Sequence, residues 1–171
     1  DVGLAAAGMA ARAQDASIIA SNPAGMTRLS GTQSTMGVQA LYGDVSYTQD
    51  GKGTMQGSDP GNVIGWFPGL SSFLSYSVDD KLKIGFAMYG NFGLGLHFGD
   101  WAGKQLIKDT SLIALTLQPS AAYKINENWS IGAGLGINYG LFSLKRDALS
   151  GEEKSKDSDW ALNGKLGVMY E

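Results

Sequence analysis

The chain has 171 residues, with 17% charged side chains, 25 glycines and no cysteine. Charge is scarce beside the roughly 25% of ordinary soluble domains, and glycine is about twice its usual share. A net charge of −3 with both signs mixed argues against a nucleic-acid surface. The missing cysteines exclude disulfides and thiolate metal sites, and no apolar run approaches the ~20 residues of a membrane helix. No basic-then-apolar leader opens the chain, which is compatible with a processed start.

In chain order, residues 2–30 come first and lack any alternation. They are rich in Gly and Ala, with Arg12 and Asp15 at their centre. Gly3 and Gly8 limit this segment to short helical turns. It ends in Asn22-Pro23-Ala24-Gly25, whose residue types suit a type I turn.

Six period-two segments follow. Met36, Val38, Ala40 and Tyr42 form a first apolar row, which changes phase near Val45 and Tyr47. Leu70, Leu74, Tyr76 and Val78 form a second. Leu82, Ile84, Phe86 and Met88 form a third, continuing as Phe92, Leu94 and Leu96 after a break at Gly90. Ile113 to Ile125, Ile131 to Leu141 and Trp160 to Tyr170 complete the set. Opposite the apolar rows lie mostly Gly, Ala, Asn, Ser and Lys, the pattern of strands with two unlike faces.

The connections at 78–82 and 125–129 are short, while 48–68, 97–110 and 145–159 read as longer, polar loops. Alternating short and long turns in an antiparallel meander are the pattern of an outer-membrane barrel. Tyr76, Tyr123, Trp129 and Tyr170 collect near the short-turn ends, and Trp160 and Tyr42 near the other, as interfacial girdles do. Periodicity alone leaves open which face points inward, since a soluble sandwich or lipocalin-like barrel would bury its apolar face. The glycines favour a lumen: Gly85, Gly93, Gly95, Gly132, Gly134, Gly136 and Gly140 share one face and leave room for a plug or ligand.

The stretch "ARAQDASIIASNPAGMTRLSG" resembles the N-terminal hatch of the outer-membrane long-chain fatty-acid and hydrocarbon transporters of the FadL type. "YSVDDKLKIGFAMYGNFGL", "DWAGK" and "LQPSAAYKINENWSIGAGLGINY" extend the likeness from about residue 3 to the end. The fold class expected is all-β: an antiparallel transmembrane β-barrel closed by an N-terminal hatch. The resemblance implies fourteen strands, of which this chain carries about six. That makes residues 1–31 a hatch and 32–171 an incomplete barrel. Six strands would leave two open edges in lipid, so the chain is expected to be part of a longer protein or of a multichain assembly.

The resemblance implies passive uptake of hydrophobic molecules with a sideways exit into the bilayer. In this chain the kink that makes the exit falls on Gly90, Asn91, Phe92 and Gly93, and the gating turn on Asn22, Pro23, Ala24 and Gly25. A fatty-acid pocket needs apolar lining and a cation; Phe92, Leu94, Leu96 and Phe98 are candidates for the first, Lys145 and Arg146 for the second. Three functions stay open: a fatty-acid transporter, a sibling for aromatic or aliphatic hydrocarbons, and a structural or adhesin barrel. Expected partners are hydrophobic small molecules and outer-membrane lipid of a Gram-negative cell, not nucleic acid. No cofactor or metal is called for, and no enzyme is expected. The single histidine, His97, has no recognisable catalytic or metal partner.

Overall fold

The computed structural model describes residues 5–48 and 57–170. Part of the long connection expected at 48–68 therefore lies outside the described residues, as do the first four residues of the expected hatch and Glu171. The strands in chain order are β1 (Gln33–Gly43), β2 (Ser46–Tyr47), β3 (Gly61–Asn62), β4 (Gly65–Ser77), β5 (Leu82–His97), β6 (Asp109–Lys124), β7 (Trp129–Ala148) and β8 (Gly151–Tyr170). All but β2 and β3, which pair with each other, belong to one antiparallel sheet in the order β1-β4-β5-β6-β7-β8. The sheet is not closed; β1 and β8 are its edges.

The faces are unlike. Met36, Val38, Trp66, Leu70, Ile84, Phe86, Leu115, Leu117, Leu162 and Leu166 form exposed apolar rows on one side. On the other side Ser75, Ala87, Thr116, Gln118 and Ala122 are buried, because residues 13–29 pack on them. That N-terminal segment folds as a short helix α1 (Ile18–Ser21) and a 3-10 helix (Pro23–Arg28). Ile18, Ile19, Met26 and Leu29 bury against Phe73, Ala87 and Ala122. Glycines make this contact possible: a Cβ on Gly85 would strike Met26 and Ile19, and one on Gly132 the backbone of Pro23 and Ala24.

The two short turns use one device. Asp79 Oδ1 accepts the amides of Lys81 and Leu82, both at 2.7 Å, and Asn126 Oδ1 those of Asn128 and Trp129 at 2.9 and 2.8 Å. Those backbone donors hold the Asp79 carboxyl below its usual range.

The segment 145–159, expected as a loop, is instead strand. β7 and β8 pair without interruption from Trp129–Tyr170 to Ala148–Gly151, leaving only Leu149 and Ser150 to turn. The sequence pattern concealed this because its upper part carries charged and polar residues on both faces and no apolar row. Where both faces meet water, an apolar row is not needed. The connection after β5 is compact: Phe98 stacks on Trp101 at 4.8 Å, and Trp101 Nε1 donates to the Ile107 carbonyl at 2.6 Å.

Candidate functional site

The site grows from one irregularity in β5. Gly90 pairs with Leu115, but the next rung joins Phe92 to Ala114, so Asn91 is an extra residue. Such a bulge reverses the phase of the strand relative to its partner. Ile84, Phe86 and Met88 lie on the exposed apolar face. Phe92 and Leu94 pair with Ala114 and Leu112 and so share the face of Thr116 and Gln118. The apolar row read from Leu82 to Leu96 with a break at Gly90 is thus two rows on opposite faces.

Asn91 is held by that inner face. Its Nδ2 donates to Thr116 Oγ1 at 2.7 Å and Asn138 Oδ1 at 3.2 Å, and Thr116 Oγ1 donates to Asn138 at 2.7 Å. Thr116 is fully buried, so these bonds satisfy groups that would be costly to leave bare.

The wall also parts beside the bulge. β4 and β5 pair only from Ser71–Tyr89 to Ser77–Lys83. Above Tyr89 no rung joins them, and the next backbone bond across is from the His97 amide to the carbonyl of Val63, which precedes β4, at 2.7 Å. The slit between spans β5 residues 90–96, roughly 20 Å at about 3.3 Å per residue. The ring of Phe67, from the inner row of β4, fills the place a Cβ on Gly93 would take. An apolar niche of about 170 Å³ lies there among Leu41, Ile64, Phe67 and Leu94.

Below the slit, a cavity of about 600 Å³ lies between residues 9–21 and part of the sheet's inner face. Arg12, Asp15 and Ile18 line one side, and Phe73, Tyr89, Asn91 and Lys165 the other. Lys165 Nζ donates to the Tyr89 hydroxyl at 2.8 Å and to the Ala20 carbonyl. Tyr89 in turn donates to Gln118 Oε1 at 2.8 Å, and Gln118 Nε2 to the Ile19 carbonyl at 2.7 Å. Phe73 stacks on Tyr89 with ring centres 6.1 Å apart. The volume is within the ~300–1,000 Å³ of ordinary small-molecule sites.

The structure brings only some of the expected site residues together. Asn91 touches the cavity, and Phe92 and Leu94 follow it into the slit. Leu96 pairs with Thr110 near the strand's end, and Phe98 packs on Trp101 in the outer connection. Lys145 and Arg146 are already engaged. Lys145 pairs with Glu152 at 2.9 Å, and Arg146 with Glu153 at 3.0 Å, across the β7–β8 hairpin. The Asn22-Pro23-Ala24-Gly25 turn is not beside Gly90. It begins the 3-10 helix over β7 and β8, where a Cβ on Gly167 would strike Asn22 and one on Gly132 would strike Ala24. Asn22 fixes it there: Oδ1 accepts the Ala24 amide at 3.1 Å, while Nδ2 donates to the carbonyls of Ala10 at 2.9 Å and Val168 at 3.1 Å.

Tyr89, Gln118 and Lys165 were not singled out from sequence. The available signal was Lys165 itself, a charge on the small-residue face between the two levels of aromatics.

Comparison with known proteins agrees with this architecture. The chain is 33% identical over 172 residues to outer membrane protein P1 of Haemophilus influenzae, covering 86% of this chain and 35% of that protein. It is 30% identical over 154 residues to a long-chain fatty acid transport protein of Salmonella typhi, covering 86% and 34%. The chain therefore spans about a third of the length of these curated relatives. The crystal structure of a Pseudomonas aeruginosa FadL homologue superposes with a TM-score of 0.68 at 19% identity, over 91% of this chain and 44% of that one, which shows a shared fold. The family model for outer membrane protein transport proteins (OMPP1/FadL/TodX) matches residues 1–167, and to that outer-membrane family the chain belongs.

Proposed function

We propose that this chain supplies the hatch and the first wall segment of a barrel that admits hydrophobic molecules across the outer membrane. Long-chain fatty acids are the class best supported, since a relative of similar sequence is named for transporting them. The ligand enters from the long-loop side and lodges between residues 9–21 and the inner face of β4, β5 and β8. It leaves sideways through the slit above Tyr89. The observation that carries this reading is the position of the bulge. Asn91 lies on the cavity wall and at the lower end of the slit, so a molecule in the cavity is already beside the opening. Phe67 stands in the slit as the side chain that must swing away.

Deleting Asn91 restores an unbroken β5–β6 register and tests the reading. In cells producing the whole protein, the deletion variant is expected to lose most uptake of radiolabelled oleate while migrating as a folded, heat-modifiable barrel. A folded deletion variant with undiminished uptake would overturn the sideways path.

A further inference from the structure

Beyond the aromatics of the long-loop level, strand β8 sorts its charges by face. Trp160 lies on the outward face, where it meets Tyr139 at 4.4 Å. That face continues upward as Ser158, Lys156, Lys154 and Glu152, while Asp159, Asp157 and Glu153 share the opposite face with Lys165. The pairing with β7 runs without a shift to Ala148–Gly151, so nothing reverses this division. Of the outward charges, Glu152 is taken by Lys145 at 2.9 Å. Lys154 and Lys156 are exposed and pair with no carboxylate among the described residues. Beside Lys156 the outward face dips. Ser111, Ser143 and Lys156 form one row across β6, β7 and β8, and Ile113, Leu141 and Ser158 form the row below it. Together they line a shallow cavity of about 420 Å³.

Four residues at about 3.3 Å, tilted ~40°, put Lys156 about 10 Å beyond the Trp160 level, and two more put Lys154 at about 15 Å. Lysine stems reach back several ångströms, which brings both ammoniums to the hydrated headgroup layer. We propose that this outward face binds the phosphorylated glycolipid that forms the outer leaflet of a Gram-negative outer membrane. Its phosphates lie on Lys154 and Lys156, and its sugar hydroxyls on Ser111, Ser143 and Ser158. Its acyl chains descend past Ile113 and Leu141 to the apolar rows. A phosphate oxygen gives each unpaired ammonium a charge-assisted hydrogen bond, roughly twice as strong as a neutral one. The serine hydroxyls favour a sugar headgroup over a plain glycerophospholipid, which has no sugar ring to meet them. The inward row of Asp157 and Asp159 repels the same phosphates, so the lipid is confined to one face. The inference rests on the outer-membrane family and the strand register, and it is independent of the passage through the barrel.

Equilibrium binding of bisphosphorylated lipid A to the purified whole protein in detergent tests this, with phosphatidylglycerol and inorganic phosphate as competitors. The double variant Lys154→Gln with Lys156→Gln is expected to weaken lipid A about tenfold or more, and the double arginine variant to retain it. Lys81→Gln with Lys124→Gln removes the same charge at the short-turn level and should leave binding within about twofold. Phosphatidylglycerol and inorganic phosphate should displace lipid A only at far higher concentration. Equal affinity in wild type and the Lys154/Lys156 glutamine variant would overturn the site, as would failure of wild type to bind lipid A. An equal loss in the Lys81/Lys124 variant would overturn it in favour of net charge alone. Equal displacement by phosphatidylglycerol or by inorganic phosphate would overturn recognition of a glycolipid, leaving general attraction for anions.

Discussion

Asn22 shows how much one side chain can organise. It is 8% exposed and uses both ends of its amide: one caps the 3-10 helix, the other ties residue 10 and strand β8 to the same point. Replacement by Ala leaves the Ala10 and Val168 carbonyls without that donor and removes the cap, which together cost about 2 kcal/mol or more. The sheet does not depend on these bonds, so the loss falls on the N-terminal segment. Asn22→Ala is expected to raise trypsin cleavage after Arg12 and Arg28 by about tenfold or more, with barrel migration unchanged. Cleavage at the wild-type rate would show that apolar packing of Ile18, Ile19 and Met26 suffices alone. The type I turn anticipated from Asn-Pro-Ala-Gly is present in substance, since the Gly25 amide bonds the Asn22 carbonyl at 3.0 Å. Its location over β7 and β8 was not legible, because the glycines that receive it, Gly132 and Gly167, look like any others on that face.

Among the elements, the outer ends of β6–β8 and the connection at 98–108 form a charged cap. Lys108 reaches Asp100 at 3.0 Å, Asp147 at 3.2 Å and Glu152 at 3.4 Å. Its hydrogen bond and charge hold the Asp100 carboxyl below the ordinary 3.8, and the bond from Lys145 holds Glu152 below 4.5. Carboxyls depressed in the folded state stabilise it above their ordinary values and cease to do so as pH falls through the lowered ones. The cap is therefore expected to hold at neutral pH and loosen below about pH 4, more readily at high salt. Trp101 reports this through its packing on Phe98 and Tyr47; its fluorescence should shift to the red through that window. A spectrum constant from pH 7 to 3 would mean that the ring packing holds the cap without the charges. Lys145 and Arg146 were candidates from sequence for a ligand's carboxylate, beside the plainer reading of a solvated loop pair. Their partners lie on a neighbouring strand, a relation that one strand's pattern does not disclose.

At the scale of the molecule, the aromatics fall at two levels. Trp66 and Tyr76, Trp129 and Tyr139, and Trp160 and Tyr170 are each ten residues apart on their strands. Trp129 meets Tyr170 at 4.9 Å on the short-turn level, while Tyr139 meets Trp160 at 4.4 Å and Tyr42 meets Trp66 at 5.1 Å on the other. Ten residues at about 3.3 Å, tilted ~40°, project to about 25 Å, the height of the apolar band of an outer-membrane barrel. The strands were legible within this band because lipid on one side and a glycine-lined interior on the other force alternation. Above it β7 and β8 continue between two wet faces, and the pattern fades.

The reversal at Asn91 was the feature least legible in the sequence. Phe92, Leu94 and Leu96 keep the even numbering of Ile84, Phe86 and Met88, and only the pairing with β6 shows the extra residue. The proposed sideways path depends on that reversal. Spin labels placed singly along β5 in lipid vesicles, scored for contact with lipid-dissolved oxygen, test it most directly. Residues 84, 86 and 88 should be lipid-exposed, with that exposure lost at 92 and 94. Lipid contact recurring at every even position through 94 would contradict the account.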